Sequence, residues 1–482
     1  MIWLLIGYMW LFVHRPFEIW PALGNWHVER AYMLVTLAWW MARGAGSPKG
    51  HRVHLYVLGF ILALLATWGQ CLFELWPELG TFRIERMAMI VMLAWFLASG
   101  AGAPRSNRLH LGFLAFIVAL LASWIQCPFP DCGDTAVDNY LKYAIFYVIL
   151  VTSVRNDADL YRILVGYVGV MTIFMLHSLR EYWCGRVYYA QGIARLQAVG
   201  MTFDSNDFAG LIVCSMPFVW VLWQRWPSTY KRTGILAYIC LSGVCVVLTG
   251  SRMGFIGMIL AGLLATLAAK HRWRMLALYP VLLAVVWTVL PQEKQDRFMT
   301  LLDPSRGPKN AIGSAGNFRF SGFERALPLF AERPLWGFGP QSFGIATGKH
   351  LMPHNLYGQL LAELGLAGTI AFGAIVWGIA RNAVEAWRLA GGQAGGSLLP
   401  WHAILASSAA FLLLLIMAWG FNFLFWHVWL WFGGFQLVAL RCLREQAATA
   451  VDRADSEIPD APYPEESCLT CDLADRASAA SW

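Results

Sequence analysis

The chain has 482 residues, of which 58% are hydrophobic, 15% aromatic and only 13% charged, and its mean hydropathy is +0.52. A soluble domain carries about 25% charged residues, so this composition cannot cover a water-facing surface and describes an integral membrane protein. The formal net charge of +7 does not point to nucleic acid, because the basic residues sit in short clusters between apolar runs, the distribution that the positive-inside rule produces.

The apolar runs have helix length and lack the ~10-residue alternation of barrel strands, so the expected fold is an all-α polytopic membrane protein. The first run, "MIWLLIGYMWLFVHRPF", has no basic n-region and no small-residue cleavage site. It reads as a first membrane helix, not a cleavable signal. A duplication follows: "FEIWPALGNWHVERAYMLVTLAWW" (17–40) aligns without gaps to "FELWPELGTFRIERMAMIVMLAWF" (73–96), a shift of 56. The match extends to Gly44-Ala45-Gly46 with Gly100-Ala101-Gly102, and to Trp68, Gln70 and Cys71 with Trp124, Gln126 and Cys127. Residues 1–128 are therefore expected to be duplicated transmembrane hairpins with a structural role. Binding at the "WPxLG" loops is the minority alternative.

Fourteen candidate spans follow from the apolar runs: 1–14, 29–42, 54–72, 86–99, 109–126, 139–154, 160–179, 207–223, 234–250, 253–269, 275–290, 354–380, 401–420 and 424–441. Several are shorter than the ~20 residues of a straight span, and 29–42 and 86–99 are short enough to be re-entrant. With fourteen spans, the basic clusters at 43–52, 105–108, 155–162, 225–232, 270–274, 381–388 and 441–444 all fall on one side. That side is expected to be the cytoplasm, with both termini in it. Loops 180–206 and 291–353 then face outward. The second is too long for a simple connection, which suggests function. Within it, 318–332 reads as a short amphipathic interfacial helix, and "RPLWGFGPQSFG" as a Gly/Pro-shaped turn. The polar tail 445–482 is expected to be disordered.

Four outward stretches carry candidate chemistry. In "PHNLYGQLLAELGLAG" (353–368), Pro353 ends the loop and His354 is expected to start the helix, sharing a face with Gly358, Leu361 and Gly365. Asn355, Gln359 and Glu363 form a polar stripe at i, i+4, i+8, which inside a membrane helix faces protein or a water-filled cavity. A titratable base thus stands at the mouth of a lipid-buried helix. In "LTGSRMGFIG" (248–257), Ser251 and Arg252 occupy an abrupt turn. A guanidinium there can grip phosphate bidentately, or merely snorkel to the interface. Arg319, with Arg325 and Arg333 behind it, runs against the usual scarcity of cations in outward loops and suggests an anionic ligand, the alternative being a solvated basic face. In "RLQAVGMTFDSNDFAG" (195–210), Asp204, Asn206 and Asp207 lie at a helix start, where capping is the ordinary role.

No metal site is expected. "CLTC" (468–471) is a single CxxC in the tail with no second pair near it, and zinc takes four ligands. HExxH, P-loop and GxSxG motifs are absent from the sequence. Cys127, Cys132 and Cys184 fall outside the membrane and can pair in an oxidising compartment.

"TGSRMG" (249–254), the run from Arg319 through "ERPLWGFGPQSF" (332–343) and "HNLYGQLLAELGLAG" (354–368), in that order, resemble the O-antigen ligase and Wzy-type polymerase superfamily of bacterial membrane glycosyltransferases. The resemblance covers roughly 139–441. It implies a twelve-helix ligase-like core with the N-terminal hairpins as an addition, in a bacterial inner membrane with a periplasmic active site. It further implies a GT-C-type enzyme that moves a glycan from undecaprenyl pyrophosphate to an acceptor such as lipid A–core, protein or glycan, with no metal or cofactor. Carried over by motif, Arg252 and Arg319 would hold pyrophosphate and His354 would be catalytic. Ser251, Asn206, Asn355 and Glu363 would support them, Glu363 by packing or orientation. Two positions depart from the pattern: Phe323 stands where Trp is usual, and Met253 where Gly is usual. Ligase and polymerase use the same constellation. A transporter is the contrasting class, but its polar residues would gather at the midplane, not at one face.

Overall fold

The computed structural model describes residues 1–20, 22–23, 28–42, 107–190, 193–200, 204–226, 228–269, 272–303, 317–348, 352–390 and 397–456. Helices α1 (Ile2–His14), α2 (Pro16–Ile19) and α3 (Val28–Ala42) come first. Then follow α4 (Arg108–Ile125), α5 (Asp134–Ser153) and α6 (Asp157–Trp183), a hairpin of β1 (Tyr188–Ala190) and β2 (Ile193–Arg195), and α7 (Ser205–Arg225), α8 (Thr229–Thr249), α9 (Arg252–Ala268) and α10 (Arg272–Val289). Short helices α11 (Gln292–Met299), α12 (Asn317–Glu332) and α13 (Phe343–Ala346) precede the long α14 (Leu356–Ala390), α15 (Leu399–Met417) and α16 (Val428–Ser456). Among the described residues, the hairpin is the only sheet; it is antiparallel with Tyr188 opposite Arg195.

Six described helices, α4, α6, α7, α8, α14 and α15, are long and apolar enough to cross a membrane, and α1 and α9 are shorter apolar helices. The fold is that of an all-α multi-pass membrane protein. Side chains tie the connections between helices together at each end of the bundle. At one end Arg441 donates to Val151 O at 3.0 Å, Gln446 reaches Asp157 at 2.8 Å, Arg444 pairs with Glu385 at 2.6 Å, and Asn107 donates to Asn382 at 2.9 Å. At the other end Lys294 donates to Ala194 O at 2.7 Å, Arg333 to Gln126 O at 3.2 Å, and Leu356 N to Ala418 O at 2.8 Å. The second end carries the irregular backbone and is termed the loop face below.

Lipid gives helices no hydrophobic reason to associate, so close backbone approach and aromatic packing do the work. A Cβ on Gly112 would lie 3.1 Å from Ile375 N, and one on Gly378 would lie 3.1 Å from Leu109 Cα. Helices α4 and α14 therefore touch backbone to backbone. At the centre, Tyr167, Phe218, Trp431, Phe432 and Phe435 form a buried aromatic cluster.

Helix α14 breaks at Gly365 (φ 62, ψ −155), a conformation essentially reserved for glycine. The groups freed by the break are taken up by the 334–339 strap. Leu366 N donates to Pro334 O at 2.8 Å, Ala367 N to Leu335 O at 3.1 Å, and Phe338 N and Gly339 N to Ala362 O and Glu363 O at 2.9 and 3.0 Å. Non-helical backbone at membrane depth persists only with such partners.

Several expectations need adjustment. His354 does not start the helix: it has φ 44 and lies outside, and α14 begins at Leu356. The face shared by His354, Gly358 and Gly365 is lost, because Gly365 also leaves the helical register. Helix α16 extends to Ser456, past residue 445, where disorder was expected to begin; charged residues such as Arg444, paired with Glu385, let the helix leave the apolar layer. The loop 291–353 contains α11, α12 and α13, α12 nearly coinciding with the amphipathic helix expected at 318–332. Spans 54–72 and 86–99, most of the duplication, the CLTC motif and the tail beyond 456 lie outside the described residues.

Gly365→Ala is expected to destabilise the protein by at least about 1–3 kcal/mol, since its Cβ would also sit 2.7 Å from Leu335 carbonyl atoms. Gly373→Ala, in the same helix with nothing within 4 Å of the added atom, should leave thermal stability in detergent unchanged. Equal midpoints for the two variants would contradict the strained break.

Candidate active site

The loop face gathers buried cations around the C-terminal end of α8. Gly250 takes a left-handed conformation (φ 60) that ends the helix, and Ser251 caps α9 by accepting Gly254 N–H at 3.2 Å. The last carbonyls of α8 then point outward, carrying the negative end of the helix dipole. Lys294 donates to Leu248 O at 3.0 Å, Arg195 to Thr249 O at 2.6 Å, and Arg297 to Gly250 O at 2.5 Å. Arg252, one residue past the cap, donates to Thr300 Oγ1 at 3.0 Å. Arg195, Arg252, Lys294 and Arg297 are 4%, 7%, 4% and 4% exposed. Like charges this deep repel unless anions or dipoles compensate.

The hairpin and the start of α7 hold Arg195 in place. Asp204 caps α7 through Asn206 N and lies 3.7 Å from the Arg195 guanidinium. Asn206 accepts from Arg195 Nη2 at 3.0 Å and donates its amide to Asp204. Asn206 therefore orients a cation, in addition to sitting in the first turn where capping was expected. Burial lowers the pKa of Arg195, offset by the Asp204 carboxylate. Burial, with Arg195 and Arg297 nearby, pushes Lys294 down to about 8.

His354 stands on the same face. Its left-handed backbone places it just before Asn355, which is fully buried and caps α14 by accepting Gly358 N–H at 2.9 Å. The His354 ring is half-buried, with Nδ1 3.4 Å from the Asn422 side-chain amide. Helix α12 closes the other side: Gly322 touches Pro353 O, and a Cβ on Gly358 would lie 3.1 Å from Phe323 Cα. Trp419 lies 5.9 Å from the Phe323 ring and 5.8 Å from Tyr357. Position 319 falls one turn before Phe323 on this helix; its side chain is outside the described residues.

Glu363 is fully buried and does not line the His354 position. It accepts from Gln341 N at 2.9 Å, Phe343 N at 3.4 Å and Gln359 Nε2 at 3.0 Å. It is the pin of the 337–343 turn, in which Gly337, Gly339 and Gln341 all have positive φ. Arg333 donates to Gln126 O and lies 5.0 Å over the Phe338 ring, so it braces the same turn.

Packing joins the cation group to His354. A Cβ on Gly254 would sit 2.5 Å from Ala209, while Gly210 touches Phe423 and Gly257 touches Met417. The start of α9 thus rests, through α7, on the 417–423 segment that holds Asn422. Arg252, Ser251, Asn206, Asn355 and His354 share the loop face; Glu363 supports it from within. Sequence reasoning missed Arg195, Lys294, Arg297 and Asn422. A signal for two of them was present: Lys294 and Arg297, spaced i, i+3 in "KQDR", are cations in the same outward loop as Arg319. Among the described residues, no group of His, Cys, Asp and Glu is arranged to hold a metal ion.

The family model described as O-antigen ligase matches residues 236–373. The match spans three of the four buried cations (Arg252, Lys294 and Arg297, but not Arg195), α11, α12, the strap and His354 through the break in α14. Over that segment the chain is similar to the O-antigen ligase family. A search of curated proteins found no match.

The Lys294 environment gives a pH test. Its folded pKa of about 8 lies below the ordinary lysine value of 10.5, so the fold disfavours its charge. The penalty is fully present below about pH 8 and is relieved as pH rises toward the unfolded value. The difference in thermal midpoint between wild type and Lys294→Met should therefore move in favour of wild type between about pH 8 and about pH 10.5. A difference constant over that window would contradict the assigned environment.

Proposed function

We propose that the chain transfers a glycan from undecaprenyl pyrophosphate to an acceptor at the periplasmic face of a bacterial inner membrane, with both termini cytoplasmic and fourteen spans in all. The observation that carries this reading is that His354 and four buried cations lie on one face of the bundle, with His354, Arg252, Lys294 and Arg297 inside the segment that matches the O-antigen ligase model. A lipid anchor fixes the scissile bond at membrane-surface height, which is where a base at the mouth of α14 can reach it.

Arg252 and Arg319 are assigned to the pyrophosphate, with Arg195, Lys294 and Arg297 supplying further positive potential. Pyrophosphate is a good leaving group, so positioning and charge stabilisation supply most of the acceleration. In a partly dry site those charges act more strongly than in water. His354 takes the proton of the acceptor hydroxyl as the glycosyl bond forms and the bond to pyrophosphate breaks. Asn422 sets its tautomer. Among the described residues the amide oxygen of Asn422 meets no hydrogen-bond donor, and amide O and N are interchangeable by a flip. With that oxygen toward the ring it accepts Nδ1–H, which makes Nε2 the nitrogen that takes the proton. Ser251, Asn206, Asn355 and Glu363 hold this frame, and no metal or cofactor is assigned.

His354→Ala should lower glycan transfer by ~10²–10⁴-fold with membrane insertion and thermal stability retained. Arg319→Lys should also lose activity, because an ammonium cannot make the bidentate contact. Normal transfer by His354→Ala would end its catalytic assignment, and full activity of Arg319→Lys would remove Arg319 from the pyrophosphate site.

A further inference from the structure

The turn pinned by Glu363 has a second neighbour that plays no part in the chemistry above. Residues 127–132, "CPFPDC", connect α4 to α5 on the loop face. Cys132 N donates to Phe129 O at 3.3 Å, and Asp131 (φ 58) and Gly133 (φ 81) bend the chain back sharply on either side of Cys132. Both thiols end on consecutive residues of the strap. A Cβ on Gly339 would lie 2.5 Å from Cys127 Sγ, and Cys132 Sγ lies 3.5 Å from Pro340 O. Cys127 Sγ donates to Phe129 O at 3.5 Å, the same carbonyl that accepts Cys132 N–H, and both thiols are only half-buried, so a small oxidant can reach them.

We propose that Cys127 and Cys132 form an intramolecular disulfide that clamps the 126–133 loop onto the Gly339–Pro340 turn. The inference rests on the outward orientation adopted above, because only an oxidising compartment keeps such a bond. The oxidant is a disulfide, protein-borne or small. The Cys127 thiolate attacks one of its sulfurs, the S–S bond of the oxidant breaks, and one thiol leaves. The Cys132 thiolate then attacks the mixed disulfide at the Cys127 sulfur and releases the second thiol. One S–S bond is formed and one broken, and the two protons go to the departing thiols. The order follows from Cys132, which burial, Cys127 and the carboxylates of Glu363 and Asp134 push up to about 12, leaving it a poor first nucleophile.

Geometry gives the bond a purpose. Gly339 has φ 105 and no room for a side chain against Cys127, while Gln341 N and Phe343 N, just beyond Pro340, donate to Glu363. Fixing the loop fixes the strap that stitches α14 at its break, eleven residues beyond His354. The clamp holds the frame of the active site from outside the membrane.

The test uses the native chain in intact cells and takes exposed Cys184, on the same face, as an internal reporter of orientation. Cells are treated with a membrane-impermeant maleimide. The protein is then denatured without reductant and its remaining thiols blocked with a second, heavier maleimide. Peptides are read by mass spectrometry before and after reduction. The expected result is Cys184 carrying the first label, with Cys127 and Cys132 carrying neither until reduction and the peptide holding both two hydrogens light. Cys184 labelled while Cys127 and Cys132 take either maleimide without reduction would overturn the disulfide and leave the orientation standing. Cys184 untouched by the impermeant reagent would overturn the orientation, and the proposal with it. A Cys184 linkage to either partner would overturn the pairing.

Discussion

A backbone N–H or C=O left without a partner in hydrocarbon costs several kcal/mol, and this constraint decides where the chain can depart from helix. Every departure described here is stitched to protein. The strap 334–339 answers the break at Gly365, the cations answer the carbonyl end of α8, and Asn355 and Ser251 answer the starts of α14 and α9. These repairs fall on one face. The polar side chains recruited for them are the same ones that give the face its charge, its base and its shape.

One cluster therefore has two duties. Lys294, Arg195 and Arg297 cap a helix, which explains why they are buried; in the proposed function they and Arg252 also form the site that the pyrophosphate completes. The helix-end carbonyls amount to about half a charge, and with the Asp204 carboxylate beside Arg195 they still leave four cations undercompensated. In the proposed function the pyrophosphate would bring the missing negative charge together with the reacting bond. The helix end orients the cations before any substrate arrives, so less reorganisation is left for the reaction itself.

Much of this was legible in the sequence. Apolar run length marked the membrane helices, and the order Arg252, Arg319, His354 marked the family segment later matched over 236–373. Asp204, Asn206 and Asp207 were expected at a helix start, where Asp and Asn accept from free N–H groups, and Asp204 caps α7. What was not legible depended on contacts between distant residues. Nothing in "NFL" around Asn422 announces that it faces His354, sixty-eight residues away in sequence. Arg195 sat inside a stretch singled out for its capping acids, yet its buried partners come from α8 and α7. Glu363 belonged visibly to a polar stripe, but its role as the pin of the 337–343 turn required the glycine break that periodicity cannot show. The misplacement of His354 has the same origin: a helix was extended backward by pattern through a residue that the chain bends left-handed.

The most direct measurement is a product analysis with purified protein in nanodiscs, given a lipid-linked oligosaccharide first alone and then with candidate acceptors, and read by gel and mass spectrometry. The account predicts that free undecaprenyl pyrophosphate appears in step with glycan transfer. Transfer that requires lipid A–core, protein or another added acceptor identifies a ligase; a ladder of longer chains still on the lipid identifies a polymerase. Intact donor with no lipid pyrophosphate released under any acceptor would contradict the glycosyltransferase reading and return the transporter class to the front.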